Sequence, residues 1–69
     1  MLSEKIYEKA RREHRVLVGM TREELIQSLG YPTEVQRKFM DKRIYDLWVY
    51  HKDMYVYLEN GSVFLKMKQ

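Results

Sequence analysis

His51 and Asp53 stand two residues apart in HKDMYVYLENGS, and Ser62 is the nearest hydroxyl expected on a strand. A nucleophile, a base and an orienting carboxylate need mutual hydrogen-bond geometry, and two side chains in one turn with a distant serine do not promise it. His14 and His51 are far apart, with no HxxxH spacing and no cysteine anywhere in the chain, so neither a transition-metal site nor thiol chemistry is expected. Gly19, Gly30 and Gly61 are isolated and make no phosphate-cradling loop. The carboxylates interleave with bases, as Glu4, Glu8 and Glu13 do with Lys5, Lys9, Arg11, Arg12 and Arg15, which reads as a solvated face. The sequence therefore points away from an enzyme, with no cofactor and no metal.

The residues that stand out are aromatic. Six tyrosines, one tryptophan and two phenylalanines make 13% of a 69-residue chain, whose interior has little room for them. Trp48, Tyr50, Tyr55, Tyr57 and Phe64 are expected on one sheet face, flanked by the basic residues Arg37, Lys38 and Arg43. The competing reading is that Trp48 and some tyrosines complete a thin core. As an exposed band they would anchor a protein partner or a second copy of the chain, making a homodimer. Alternatively they would stack single-stranded bases, with the cations on phosphates. A net charge of only +3 and no RNP-type motif disfavour nucleic acid.

Residues 3–14 have the apolar spacing of a first helix, with Ser3 as cap and Leu2, Ile6, Tyr7, Ala10 and His14 on one stripe. RVLV, residues 15–18, follows as an extended connector pressed into the core. The second helix starts at Thr21, where Thr21 and Glu24 form a T-x-x-E capping box and Met20 staples onto Leu25. Gly30 should end it with positive φ, and Pro32 keeps it from resuming. After Pro32 the pattern turns to strands at 42–50, 54–59 and 62–67, while 33–39 is either a fourth strand or a short third helix.

Asn60-Gly61 is a type I′ hairpin signal that sets Leu58 opposite Val63, Val56 opposite Leu65 and Met54 opposite Met67. The opposite face then carries Tyr55, Tyr57, Glu59, Ser62, Phe64 and Lys66. If Lys52-Asp53 is a two-residue turn, Val49 meets Val56 and Leu47 meets Leu58 on the core side, and Trp48 and Tyr50 lie on the outer face. A turn one residue longer swaps these sets. The expected fold is one α+β domain, α-α-β-β-β, with two helices on one face of a three-stranded antiparallel sheet, or a four-stranded one if 33–39 joins it.

The order of these features resembles the SmpA/OmlA/BamE-like family. The resemblance rests on Gly19, Met20, Thr21, Glu24, Leu25, Leu29, Gly30 and Pro32, followed by Trp48, Tyr50, Asn60, Gly61 and Val63, over about residues 16–65. It implies a compact domain of two helices on a three-stranded sheet, similar to β-lactamase-inhibitor-protein repeats. It also implies a non-catalytic accessory subunit of outer-membrane protein assembly, making protein and lipid contacts. Most of the matching residues shape a backbone and so speak for the fold first.

The sequence departs from that family in lacking a lipid-attachment cysteine and in starting with a charged, amphipathic segment rather than an apolar leader. A periplasmic or outer-membrane-associated site follows if the resemblance holds and a leader has been removed; otherwise the expectation is cytoplasmic. No apolar run approaches the roughly 20 residues a spanning helix needs, so membrane association would depend on such an anchor.

Overall fold

The structure, a computed structural model, describes residues 4–68. Two helices, α1 (Glu4–Arg12) and α2 (Arg22–Leu29), precede four strands: β1 (Glu34–Met40), β2 (Arg43–Tyr50), β3 (Met54–Glu59) and β4 (Ser62–Lys68). The strands form one antiparallel sheet in the order β1-β2-β3-β4, so the protein is α+β and the segment over 33–39 is a strand. The expected Ser3 cap and Leu2 contact fall outside the described residues.

Local chemistry shapes α2. Thr21 accepts a hydrogen bond from the Glu24 backbone N–H at 3.2 Å, and the Thr21 N–H donates to Glu24 Oε1 at 2.9 Å. Two N–H groups that a helix start leaves orphaned are thereby satisfied. Met20 and Leu25 on either side of the cap are both fully buried. At the other end Gly30 has φ 83° and ψ −169°, a region that only glycine occupies without strain, and its N–H closes on Ile26 O at 2.7 Å.

Ser28 joins the helices. Its hydroxyl, buried in the structure, donates to Arg15 O, and His14 Nδ1 lies 2.7 Å from Ser28 O. The connector then runs along β4. Gly19 N–H donates to Val63 O at 2.7 Å, and Val63 N–H donates to Met20 O at 2.8 Å. This backbone pairing covers the start of the β4 edge and drops Met20 into the core.

The core lies between the helices and one sheet face. Ala10, Val16, Met20 and Leu25 meet Trp48, Tyr50, Val56, Leu58 and Val63 there, with Tyr7, Leu17, Ile26, Leu29 and Met54 at its margin. Ile6 has the spacing of the buried stripe but remains 47% exposed, because the short first helix turns only Ala10 fully inward.

Three hairpins set the register. Asn60 (φ 50°) and Gly61 (φ 82°) make the expected two-residue turn, with Glu59 opposite Ser62 and Leu58 opposite Val63. A β-carbon on Gly61 would sit 3.0 Å from the Arg22 guanidinium, so the turn also packs against the start of α2. Asp41 and Lys42, both at positive φ, join β1 to β2.

The β2–β3 turn is the longer alternative. Tyr50 pairs with Met54 across His51, Lys52 and Asp53, so Trp48 meets Val56 and Leu47 meets Tyr57. The two-residue turn at Lys52-Asp53, and the outward placement of Trp48 and Tyr50 that depended on it, are therefore corrected. Burying the two large rings beside Val56 and Leu58 removes more apolar surface from water than burying Leu47 and Val49 would. A second correction concerns β4. A bulge between Val63 and Leu65 sets Leu65 opposite Tyr57, Lys66 opposite Val56 and Met67 opposite Tyr55. Leu65 and Met67 accordingly turn away from the helices and Lys66 turns toward their side, the reverse of the unbroken alternation.

Candidate interaction face

The sheet face opposite the helices carries no second layer among the described residues. Its register brings together Glu34, Gln36 and Lys38 of β1 with Arg43, Tyr45, Leu47 and Val49 of β2. Tyr55, Tyr57 and Glu59 of β3 continue the surface, which ends on Leu65 and Met67 of β4. Phe64, at the bulge, leans across β3. Its ring centroid is 6.5 Å from that of Tyr45 in edge-to-face geometry and 6.2 Å from that of Tyr57. Phe64, Leu65 and Met67 remain 43–45% exposed, while Tyr45, Leu47, Val49, Tyr55 and Tyr57 are half-buried by one another. A depression of about 370 Å³ lies among Gln36, Lys38, Tyr45, Leu47, Tyr57 and Phe64.

Of the aromatic residues expected on this face, Tyr55, Tyr57 and Phe64 are there. Trp48 and Tyr50 are 5% and 8% exposed on the helix side. Burial pushes the Tyr50 phenol up to about 12. The neutral hydroxyl donates to Gly30 O at 3.0 Å, tying β2 to the end of α2. Tyr45, Leu47, Leu65 and Met67 belong to the face and were missed. The first two follow from a turn longer by one residue, the last two from a bulge that hairpin spacing does not announce.

The three expected flanking cations separate. Arg37 lies on the helix side, where its Nε and second nitrogen donate to Asp46 Oδ1 and Oδ2 at 2.8 and 3.1 Å. Arg43 reaches Glu59 at 3.3 Å. Lys38 alone has no carboxylate partner among the described residues. Among the described residues the outer face thus presents two carboxylates and two cations, which balance.

Asp46 is a further residue that sequence spacing did not single out. It is 2% exposed, facing the helices between Ile44 and Trp48, and Arg22 Nε approaches it at 3.5 Å from the first turn of α2. The hydrogen bonds from Arg37, followed by its charge and that of Arg22, hold the carboxyl below its ordinary value against the opposing effect of burial. One carboxylate therefore links the edge strand, the sheet centre and a helix start.

His51 and Asp53 sit in the turn at one end of β3 and Ser62 beyond its other end, six residues of strand away. That is about 20 Å at strand rise, too far for a shared proton. Among the described residues no three His, Asp or Glu side chains converge, and no helix is long and apolar enough to cross a membrane. The chain matches no protein-family model, and no curated protein or solved structure is significantly similar to it.

Proposed function

We propose that this protein is a non-catalytic binding module whose outer sheet face is its interface. The observation that carries the reading is the uncovered, apolar and electrically neutral surface built from Tyr45, Leu47, Tyr55, Tyr57, Phe64, Leu65 and Met67. Contiguous exposed apolar patches on small soluble domains mark interaction sites, and tyrosine and phenylalanine are efficient anchors because they bury much area with few rotatable bonds. A protein surface suits a neutral face better than single-stranded nucleic acid does. Arg37 and Arg43, the cations expected on phosphates, are engaged by Asp46 and Glu59. Lys38 alone would give a feeble electrostatic footprint.

The resemblance to SmpA/OmlA/BamE-like domains supports the same class of role, an accessory in cell-envelope protein assembly. Its support lies in the capped second helix from Thr21 to Gly30, set ahead of the Asn60-Gly61 hairpin. The additional strand β1 is a departure from the three strands that the resemblance implies.

The test is capture of partners from the source cell with immobilised wild-type protein and with Tyr57→Ser. The substitution removes an anchor from the face while leaving the helix-side core intact. Specific capture should fall about tenfold with Tyr57→Ser, the size of effect expected for a central aromatic anchor. Equal capture by the two proteins would count against the outer face as the interface.

A further inference from the structure

We infer that β1 is a releasable edge strand, which leaves the sheet as a unit while the two helices and β2, β3 and β4 stay folded. All seven of its residues are exposed, and none belongs to the core cluster or to its margin. Val35 and Phe39, on the helix side, remain 47% and 71% exposed, so the helix layer does not cover the strand. Of the described β2 residues opposite β1, Trp48 belongs to the core cluster and the others do not. The opposite edge of the sheet is different. There Val63 of β4 is buried and its backbone pairs with Gly19 and Met20. One edge is built into the core and the other is laid beside it, and elements with few buried apolar contacts open first.

β1 is held by its ladder with β2 and by contacts at two points. Thr33 donates from its N–H and its hydroxyl to Val49 O at 2.8 and 2.9 Å. Arg37 donates to both oxygens of Asp46, the latch of the strand. Asp46 keeps a counter-charge when β1 leaves, because Arg22 of α2 also approaches it, at 3.5 Å. The hairpin turn works against retention. Asp41 and Lys42 hold φ of 49° and 65°, and a lysine in that conformation is strained where Gly61 in the β3–β4 turn is not. Glu34 and Lys38 are also poor strand formers.

Release would change the candidate site. Gln36 and Lys38 form the β1 wall of the depression whose other walls include Tyr45, Leu47, Tyr57 and Phe64. Without β1 that recess opens sideways, and the backbone of Tyr45 and Leu47 loses its partners. The release itself does not depend on the binding reading, which would stand if β1 proved fixed.

Amide hydrogen exchange of the full chain, followed by NMR near neutral pH, reads the opening residue by residue. Asn60 N–H donates to Ile44 O at 2.7 Å, so even-numbered residues of β2 turn their backbone to β3 and odd-numbered ones to β1. The expected result is that Gln36, Lys38, Tyr45 and Leu47 are at least about tenfold less protected than Asp46 and Trp48. Leu25→Val trims the helix-side core, which stays packed when β1 leaves. It should speed exchange at Asp46 and Trp48 about fivefold and leave the other four unchanged. Arg37→Met should speed those four about fivefold. Should Leu25→Val fail to fold, wild-type exchange in urea below the unfolding transition decides instead. Asp46 and Trp48 should then accelerate steeply and the other four hardly at all, because release exposes little surface. Equal protection of the two sets overturns the inference, as does an effect of Leu25→Val, or of urea, common to both. Exchange of the four residues that is indifferent to Arg37→Met overturns the latch.

Discussion

Replacing Trp48 by alanine should destabilise the protein by about 4 kcal/mol, the cost typical of deleting a buried large aromatic ring. Trp48 is 5% exposed, opposite Val35 on one side and Val56 on the other, within the core cluster. A domain of this length has a total stability of roughly 3 to 10 kcal/mol, so Trp48→Ala should leave it largely unfolded near body temperature. The indole N–H is enclosed without a hydrogen-bond partner among the described residues, so Trp48→Phe loses no such bond and should cost much less. Tyr57→Ser, on the half-exposed face, should cost about 1 kcal/mol or less. Urea unfolding of the three variants checks this ordering. Had the shorter β2–β3 turn formed, the tryptophan would be the mild site and Leu47 the severe one.

The second large effect is expected at Asp46. Neutralising it as Asp46→Asn takes the counter-charge from Arg22 and Arg37 and should cost about 2 kcal/mol, less than a fully buried pair because both guanidinium groups are more than a third exposed. The pH dependence has a definite sign. The folded carboxyl is held below its ordinary 3.8, so the unfolded chain binds the proton first as pH falls. This contribution to stability is complete above pH 3.8 and drains away as pH drops through the lowered folded value. Chemical denaturation from neutral pH down to pH 2 should show a steeper acid loss in the wild type than in Asp46→Asn. Parallel curves would mean that the carboxylate is not held by its arginines.

The parts of this fold legible in the sequence are those decided within a few residues. Thr21, Glu24 and Gly30 fix both ends of α2, because caps act on the nearest unpaired backbone groups. Asn60-Gly61 fixes a turn through positive φ at two adjacent positions. The β2–β3 connection was not fixed in this way, since Lys52 and Asp53 serve a two- or a three-residue turn equally well. Burial of Trp48 and Tyr50 decides it, through contacts with residues far along the chain. The same holds for Asp46. A lone carboxylate in a strand resembles a solvent-facing residue until Arg22, from another element, is known to reach it. The membership of the candidate site follows from these non-local choices, which is why Tyr55, Tyr57 and Phe64 were anticipated while Tyr45 and Leu47 were not.

Photo-crosslinking from the sheet face shows whether that surface meets a partner in the cell. A benzophenone amino acid in place of Tyr57 would report on the outer face, and one in place of Tyr31, 81% exposed beyond the end of α2, would report on a surface given no role. Irradiation in the source cell should give discrete higher-mass adducts from position 57 and none from position 31. A bare position 57, or the same adducts from both positions, would contradict the assignment of the outer sheet face as the binding surface.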